Sequence, residues 1–250
     1  LINALANSAP DECDLASRCL HTILESYTVY FDLVLCNRQG QVIAHGRPDL
    51  YRSVNADCSG TTWFEQAIKS RSGSDFGFEG VHRCPLVNNR LALVYSCAVR
   101  EGGDKNGNIT GVLGVVFDWE KFAKEIVTDA LNGADEKRHS RVAIVDKQGQ
   151  VLADSENREL EDVIDFADRA RLFAGKKGSV ITTMDGQEYF VGHAASTGYE
   201  TYATGWHAVC IQACEQTKSE TEAETPKTRR RVRRTKDGRP TRRRRRLSEA

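Results

Sequence analysis

Two rhythms of apolar and polar residues run along the chain. In DECDLASRCLHTILESY (11–27), Leu15, Cys19, Leu20, Ile23 and Leu24 recur at the spacing of one helical face, which predicts an amphipathic helix capped by Asp11. From residue 30 the period drops to two. YFDLVLC (30–36) and residues 41–45 predict strands joined by a tight turn, and an irregular polar stretch then runs to Gly60. TTWFEQAIKS (61–70) predicts a short helix opened by a threonine cap, with Glu65 placed for the reciprocal contact. A Gly/Ser-rich loop covers 71–80. Two long strands follow. LALVYSCAVR (91–100) puts Leu91, Leu93, Tyr95, Cys97 and Val99 on one face, and GVLGVVFDW (111–119) does the same for Val112, Gly114, Val116 and Asp118. The turn-rich EGGDKNGN between them makes the pair a hairpin. Residues 119–131 predict a helix that Asn132 and Gly133 end.

One eight-residue phrase is written twice. NRQGQVIA (37–44) returns as DKQGQVLA (146–153), each copy behind an apolar run, with Gly40 and Gly149 free to take positive φ at a turn. An isolated hairpin is not stable in water, so each copy belongs to a larger sheet. The offset of 109 residues is too long for a solenoid or propeller blade and predicts two related domains in tandem. The second copy reads as strands at 141–145 and 150–153, a helix near 159–173, and strands near 179–183, 187–195 and 205–212. Short connections make each sheet antiparallel with its helices to one side, an α+β class. The expected organisation is an N-terminal helix (1–28), a larger first unit (29–133), a smaller second unit (134–214) and a tail (215–250).

Charge changes the picture only at the C-terminal end. The chain is formally neutral, but residues 227–246 hold thirteen Lys or Arg. Setting residues 227–250 aside leaves 22 basic against 33 acidic residues, a charge of −11 on the rest. A block of one sign repels itself and buries little apolar area, so the tail is expected to be disordered. The eight cysteines are scattered through apolar runs in a chain large enough to need no staples, which predicts reduced thiols acting as small core residues. No window reaches the roughly twenty apolar residues of a membrane span. Leu1 in place of Met points to a missing upstream segment.

YFDLVLCNRQGQVIAHG, then WFEQAI (63–68), then GVLGVVFDW before a helix, resemble the double Cache sensor module, and TGWHAVCIQ (204–212) resembles its closing strand. The resemblance runs from about Asp11 to Gln212. It implies two tandem PAS-like antiparallel sheets and a ligand site in the first, larger unit of a chemotaxis-receptor or sensor-kinase type protein. It implies ligand-binding roles for Trp63 and Phe64, which match the aromatic pair after the covering segment, and for Asp118, which matches a carboxylate that holds the ligand's ammonium. Tyr51 and Tyr95 sit where further wall residues are expected. Amino-acid-sensing members place an arginine two residues before that tryptophan; here the position is Thr61, with Arg52 and Arg83 as possible substitutes. Aromatic faces plus a carboxylate suit a cation, so a cationic amine or amino acid is favoured. Gly114 would leave space above the sheet. Asp118 also reads as a cap for the helix at Trp119.

Other chemistry is weaker. His207, Cys210 and Cys214 have a metal-like spacing, but on a strand His207 faces away from the two cysteines. AGKKGS (174–179) lacks the glycine spacing of a phosphate loop, and no nucleophile elbow appears. No catalytic residue, metal or cofactor is expected. The expected partners are a small-molecule ligand, a second copy through helices, an upstream signalling domain, and weak polyanion contact through 227–246. The rival function is a polyanion- or nucleic-acid-binding adaptor working through its arginine-rich tail. The tail and the thiols favour a cytoplasmic placement, with the periplasmic face of a membrane as the alternative.

Overall fold

The computed structural model describes residues 1–131, 139–198 and 203–214, and residues 1–214 pack as one unit. The tail beyond 214 and the Asn132–Gly133 stop signal lie outside the described residues. The elements are α1 (Ile2–Asn7), α2 (Pro10–Ser26), β1 (Tyr30–Asn37), β2 (Val42–His45), α3 (Thr62–Ile68), β3 (Gly77–Cys84), β4 (Arg90–Arg100) and β5 (Ile109–Asp118). Then come α4 (Trp119–Asp129), β6 (Ser140–Val145), β7 (Val151–Asp154), α5 (Arg169–Phe173), β8 (Lys177–Met184), β9 (Gln187–Ala195) and β10 (His207–Ala213). They form two antiparallel five-stranded sheets of identical order, β2-β1-β5-β4-β3 and β7-β6-β10-β9-β8. This is the tandem α+β arrangement that the repeat predicts, with the PAS-like sheets that the resemblance implies.

The doubled phrase builds the same turn twice. Asn37 Oδ1 accepts from the N–H groups of Gln39 and Gln41, both at 3.0 Å, and Asp146 Oδ1 accepts from Gln148 and Gln150, both at 2.9 Å. Gly40 and Gly149 take φ of 87° and 88°. Each glycine carbonyl then accepts from the segment that covers its sheet: Cys58 N–H to Gly40 at 2.8 Å, Ile164 N–H to Gly149 at 2.9 Å. A side chain would not fit at either tip. A Cβ on Gly40 would meet the Ser59 backbone at 2.6 Å, and one on Gly149 the Ile164 carbonyl oxygen at 2.5 Å.

The first two strands of each sheet are also tied by a buried polar pair at matching positions, with the polarity reversed. Asp32 and His45, both almost wholly buried, meet at 2.8 Å, and Asp32 Oδ1 also accepts from the N–H groups of Leu33 and Gly46. In the second sheet the partners are Arg141 and the buried Asp154, at 2.6 Å, and Arg141 reaches on to Asp162 at 2.8 Å. Both pairs bridge the start of the covering segment to the hairpin. The buried carboxylates are therefore satisfied, as burial requires.

Pleat alternation sorts the cores as expected. Val112 and Val116 join Val34, Ala92 and Val94 under the first covering segment, while Leu91 and Leu93 face the other way. On that back face α2 packs Ala16, Leu20 and Leu24 against Leu33 and Leu35. Alpha4 fills the rest and is shared, because Trp119, Ala123 and Val127 touch Leu91 and Leu93 of the first sheet and Val142 and Leu152 of the second. The Trp119 Nε1–H donates to the Leu152 carbonyl at 2.6 Å.

Four local expectations change. Alpha2 begins at Pro10 with Ala9 as N-cap, so Asp11 sits in the first turn instead of capping; proline pre-organises the first helical position. A short α1 precedes it. Strand β3 starts at Gly77, inside the stretch read as loop, and supplies the first sheet's far edge. The helix expected near 159–173 is only α5, because residues 155–162 are organised by ionic bonds of Arg141 and Arg158 to Glu156 and Asp162.

Two stability outcomes follow. Gly40→Ala and Gly149→Ala should each cost at least about 2 kcal/mol in chemical denaturation, combining positive φ with a backbone clash. Gly186→Ala, with φ 82° but open space around it, should cost only about 1 kcal/mol. Arg141→Met strands the Asp154 carboxylate and should cost about 3–5 kcal/mol, most of it recovered by adding Asp154→Leu. Equal losses at Gly149 and Gly186, or no recovery in the double variant, would contradict the packing described.

Candidate functional site

The covered face of the first sheet carries the aromatic residues singled out in the sequence. Alpha3 lies over it, and its backbone is clamped at Trp63: the N–H donates to Glu79 Oε2 at 3.3 Å, and the carbonyl accepts from Ser96 Oγ at 2.7 Å. The expected reciprocal cap is not formed. Thr61 Oγ1 donates to the Cys58 carbonyl, and Glu65 pairs with Lys69 at 2.7 Å, leaving Glu79 from β3 to serve the helix start.

Trp63 is 1% exposed, Phe64 3% and Tyr51 6%, and all three belong to one cluster with Phe31. The Trp63 ring lies on Gly114, since a Cβ there would meet its Cζ3 and Cη2 at 3.0 and 3.1 Å. The space above Gly114 is thus filled by indole. Trp63 and Phe64 meet edge to face at 6.1 Å. Tyr95 does not join them: it lies on the back face, its ring 5.1 Å from Phe78, in the cluster that packs against α4.

Asp118 ends β5 opposite Ala92 and caps α4, its Oδ1 accepting from the Lys121 N–H at 3.0 Å. The cap is real, and it leaves the second carboxylate oxygen out of that bond. A cation of the chain itself stands nearby. Arg90 holds its guanidinium 4.2 Å above the Phe31 ring and donates to Glu120 Oε2 at 2.8 Å. Partial burial works against its charge, but Glu120, Asp118 and Tyr51 outweigh this and raise its pKa. Arg52 is exposed, and Arg83, also exposed, points to Glu161 at 3.8 Å.

Sequence reading missed Glu79. Its loop reads as Gly/Ser-rich, and only the register of β3 against β4, Glu79 opposite Val94, brings it to the Trp63 face. Among the described residues it forms no ion pair. Three buried thiols line the same core. Cys84 is pushed up to about 11 by burial, and Cys36 is raised by its hydrogen bond with Cys58 and by burial. Cys13, Cys19, Cys36, Cys58, Cys84, Cys97 and Cys214 are free thiols in this structure. His207 is buried while Cys210 is exposed, on opposite faces of β10.

The corresponding place in the second sheet is a cleft of about 760 Å³ lined by Arg141, Glu156, Arg158, Asp162, Tyr189 and Ile211 among others. Its ionic groups are largely bound to one another, with Arg158 to Glu156 at 3.0 Å beside the Arg141 bonds. Among the described residues no group of three metal-ligating side chains converges, and no helix is long and apolar enough to cross a membrane.

The fold recurs in solved sensor domains. The ligand-binding domain of the Pseudomonas fluorescens chemoreceptor CtaA, in complex with L-alanine, is 15% identical with a TM-score of 0.56, over 86% of this chain and 84% of that one. The sensor domain of the V. cholerae histidine kinase DctB is 13% identical with a TM-score of 0.61 over the same shares, 86% and 84%. The Campylobacter jejuni chemoreceptor Tlp3 domain, in complex with 4-methylisoleucine, is 15% identical with a TM-score of 0.54, over 80% and 71%. The curated proteins gave no match. At these identities the likeness speaks for the fold, and the family is shown by a sequence model, dCache_1, that matches residues 4–219: the chain belongs to the Cache domain family.

Proposed function

We propose that the chain is a sensory module that binds a small metabolite of amine or amino-acid type on the covered face of the first sheet and regulates chemotaxis or a related signalling output. One observation carries this reading. Buried rings of Trp63, Phe64 and Tyr51 stand over a floor of small residues, with the Glu79 and Asp118 carboxylates on the same face. Rings and carboxylates together attract an ammonium group. Two of the similar receptors were solved with L-alanine and 4-methylisoleucine, which supports an amino-acid-type ligand here.

Arg90 refines the picture. It already neutralises part of the charge around Asp118, and Glu79, without an ion-pair partner among the described residues, is a second draw for a cation. Tyr95, on the back face, has no part in the proposed wall. The module works by binding and not by catalysis, pairs with a second copy through its helices, and reports to a signalling domain. Deleting residues 215–250 separates this reading from the polyanion-binding adaptor. A sensor keeps its ligand-induced rise in melting temperature, whereas the adaptor loses its partner.

A thermal-shift screen of amines, amino acids and dicarboxylates, followed by calorimetry, tests the site. Asp118→Asn should weaken the best cationic hit about a hundredfold and Glu79→Gln at least tenfold, with Trp63→Ala also weakening it. Asparagine caps a helix about as well as aspartate, so a purely structural Asp118 would leave both affinity and stability nearly unchanged in Asp118→Asn. A dicarboxylate as the best ligand would overturn the cation reading.

The compartment is read from the thiols. On the cytoplasmic reading, all eight cysteines of freshly isolated protein react with a thiol reagent once it is denatured without reductant. The raised pKa values of Cys36 and Cys84 make denaturation necessary for full reaction. Two or more blocked thiols would place the module on the periplasmic side instead.

A further inference from the structure

The second sheet carries a device that ligand binding in the first does not use. His193 on β9 and His207 on β10 are each 6% exposed, and their Nδ1 atoms face each other at 3.2 Å. One Nδ1–H must donate to the other Nδ1, so the pair closes only when at least one Nδ1 is bare. His193 Nε2 is fully buried and makes no well-formed hydrogen bond among the described residues, although the Leu172 carbonyl of α5 lies close enough to favour a proton on this ring. The Phe173 ring of α5 stacks flat on His207, 4.2 Å between centroids and 10° between planes, and lies 5.4 Å from His193. Alpha5 is thus seated on the two imidazoles, much as α3 is seated by Trp63 on Gly114.

We propose that His193 and His207 form a proton-operated latch that holds α5 on the second sheet: the neutral pair keeps it closed, and proton uptake opens it. A neutral pair with the donor proton on His193 Nδ1 leaves its buried Nε2 as a bare lone pair. One added proton turns both nitrogens of one ring into donors and puts a charge in the core under Phe173. A second sets two N–H groups against each other across 3.2 Å, which only separation of the rings relieves.

The surroundings oppose the charge. Burial lowers the pKa of both histidines below the ordinary 6.5, and for His207 the fields of His193 and of Lys147, from the β6–β7 turn, act in the same direction. The Leu172 carbonyl of α5 acts the other way on His193, without outweighing burial. On α5 the remaining charges are spoken for, Arg169 by Asp165 at 3.1 Å and Arg171 by Asp168 at 3.3 Å. Beta8 approaches with Gly178, which brings no side chain to His193. The sign follows from the direction of the shift. Histidines with a lowered folded pKa contribute stability that is fully present above pH 6.5 and is lost as pH falls through their folded values.

The test uses the full chain. In hydrogen exchange at pH 7.5 and 5.5, corrected for intrinsic rates, the latch predicts that peptides covering 166–195 and 207–213 lose protection selectively at pH 5.5. In His193→Gln/His207→Gln that selective loss disappears. The wild-type melting temperature should fall by at least about 3 °C more than the double variant's over the same interval. Equal pH responses of wild type and variant overturn the proposal. If the double variant does not fold, ring NMR of the wild type decides: both histidines must titrate below 6.5, and a midpoint at or above 6.5 for either overturns the latch.

Discussion

The fold hangs on one small constraint, a glycine at positive φ whose carbonyl faces inward at the tip of the first hairpin of each sheet. The turn does two jobs at once. Its Asn37 or Asp146 side chain closes the strand pair, and the Gly40 or Gly149 carbonyl takes an N–H from the covering segment. Without that second bond the cover has no fixed height above the sheet, and the covered face has no defined shape. The repeated phrase is therefore a device for holding a lid over a sheet, written once for each.

What lies under the two lids has diverged. The first cover brings Trp63 onto Gly114 and makes a buried, aromatic interior with carboxylates on its face. The second is drawn in by Arg141, which bonds Asp154 and Asp162, and leaves an open polar cleft. The buried pair at the base of each hairpin kept its place and exchanged its polarity, Asp32 with His45 in one and Arg141 with Asp154 in the other. Satisfying a buried carboxylate is the requirement; which strand supplies it is free. Asp118 and Trp119 join the halves: one side chain, at the end of β5, caps α4, and the next donates across to Leu152.

Local signals made much of this legible. Period-two alternation assigns Val112, Gly114, Val116 and Asp118 to one face, and the doubled NRQGQVIA phrase places both hairpins, because each depends only on neighbouring residues. Long-range pairing is what escaped. Glu79 gains its meaning from lying opposite Val94, which no loop composition reveals. The family resemblance implies a wall role for Tyr95, but its own strand alternation puts it with Leu91 and Leu93 against α4. The helix expected over 159–173 gave way because Arg141, at the start of β6, pulls Glu156 and Asp162 into an ionic loop. The His193–His207 contact joins two strands whose register alone brings the rings together.

The central claim is that the ligand is read under the first lid. Hydrogen exchange of the intact chain with and without its strongest small-molecule hit tests this most directly, because it reports where binding protects the backbone without altering any residue. The account predicts that new protection concentrates in peptides covering 51–68, 77–96 and 112–121. Protection confined to 139–213 would contradict it.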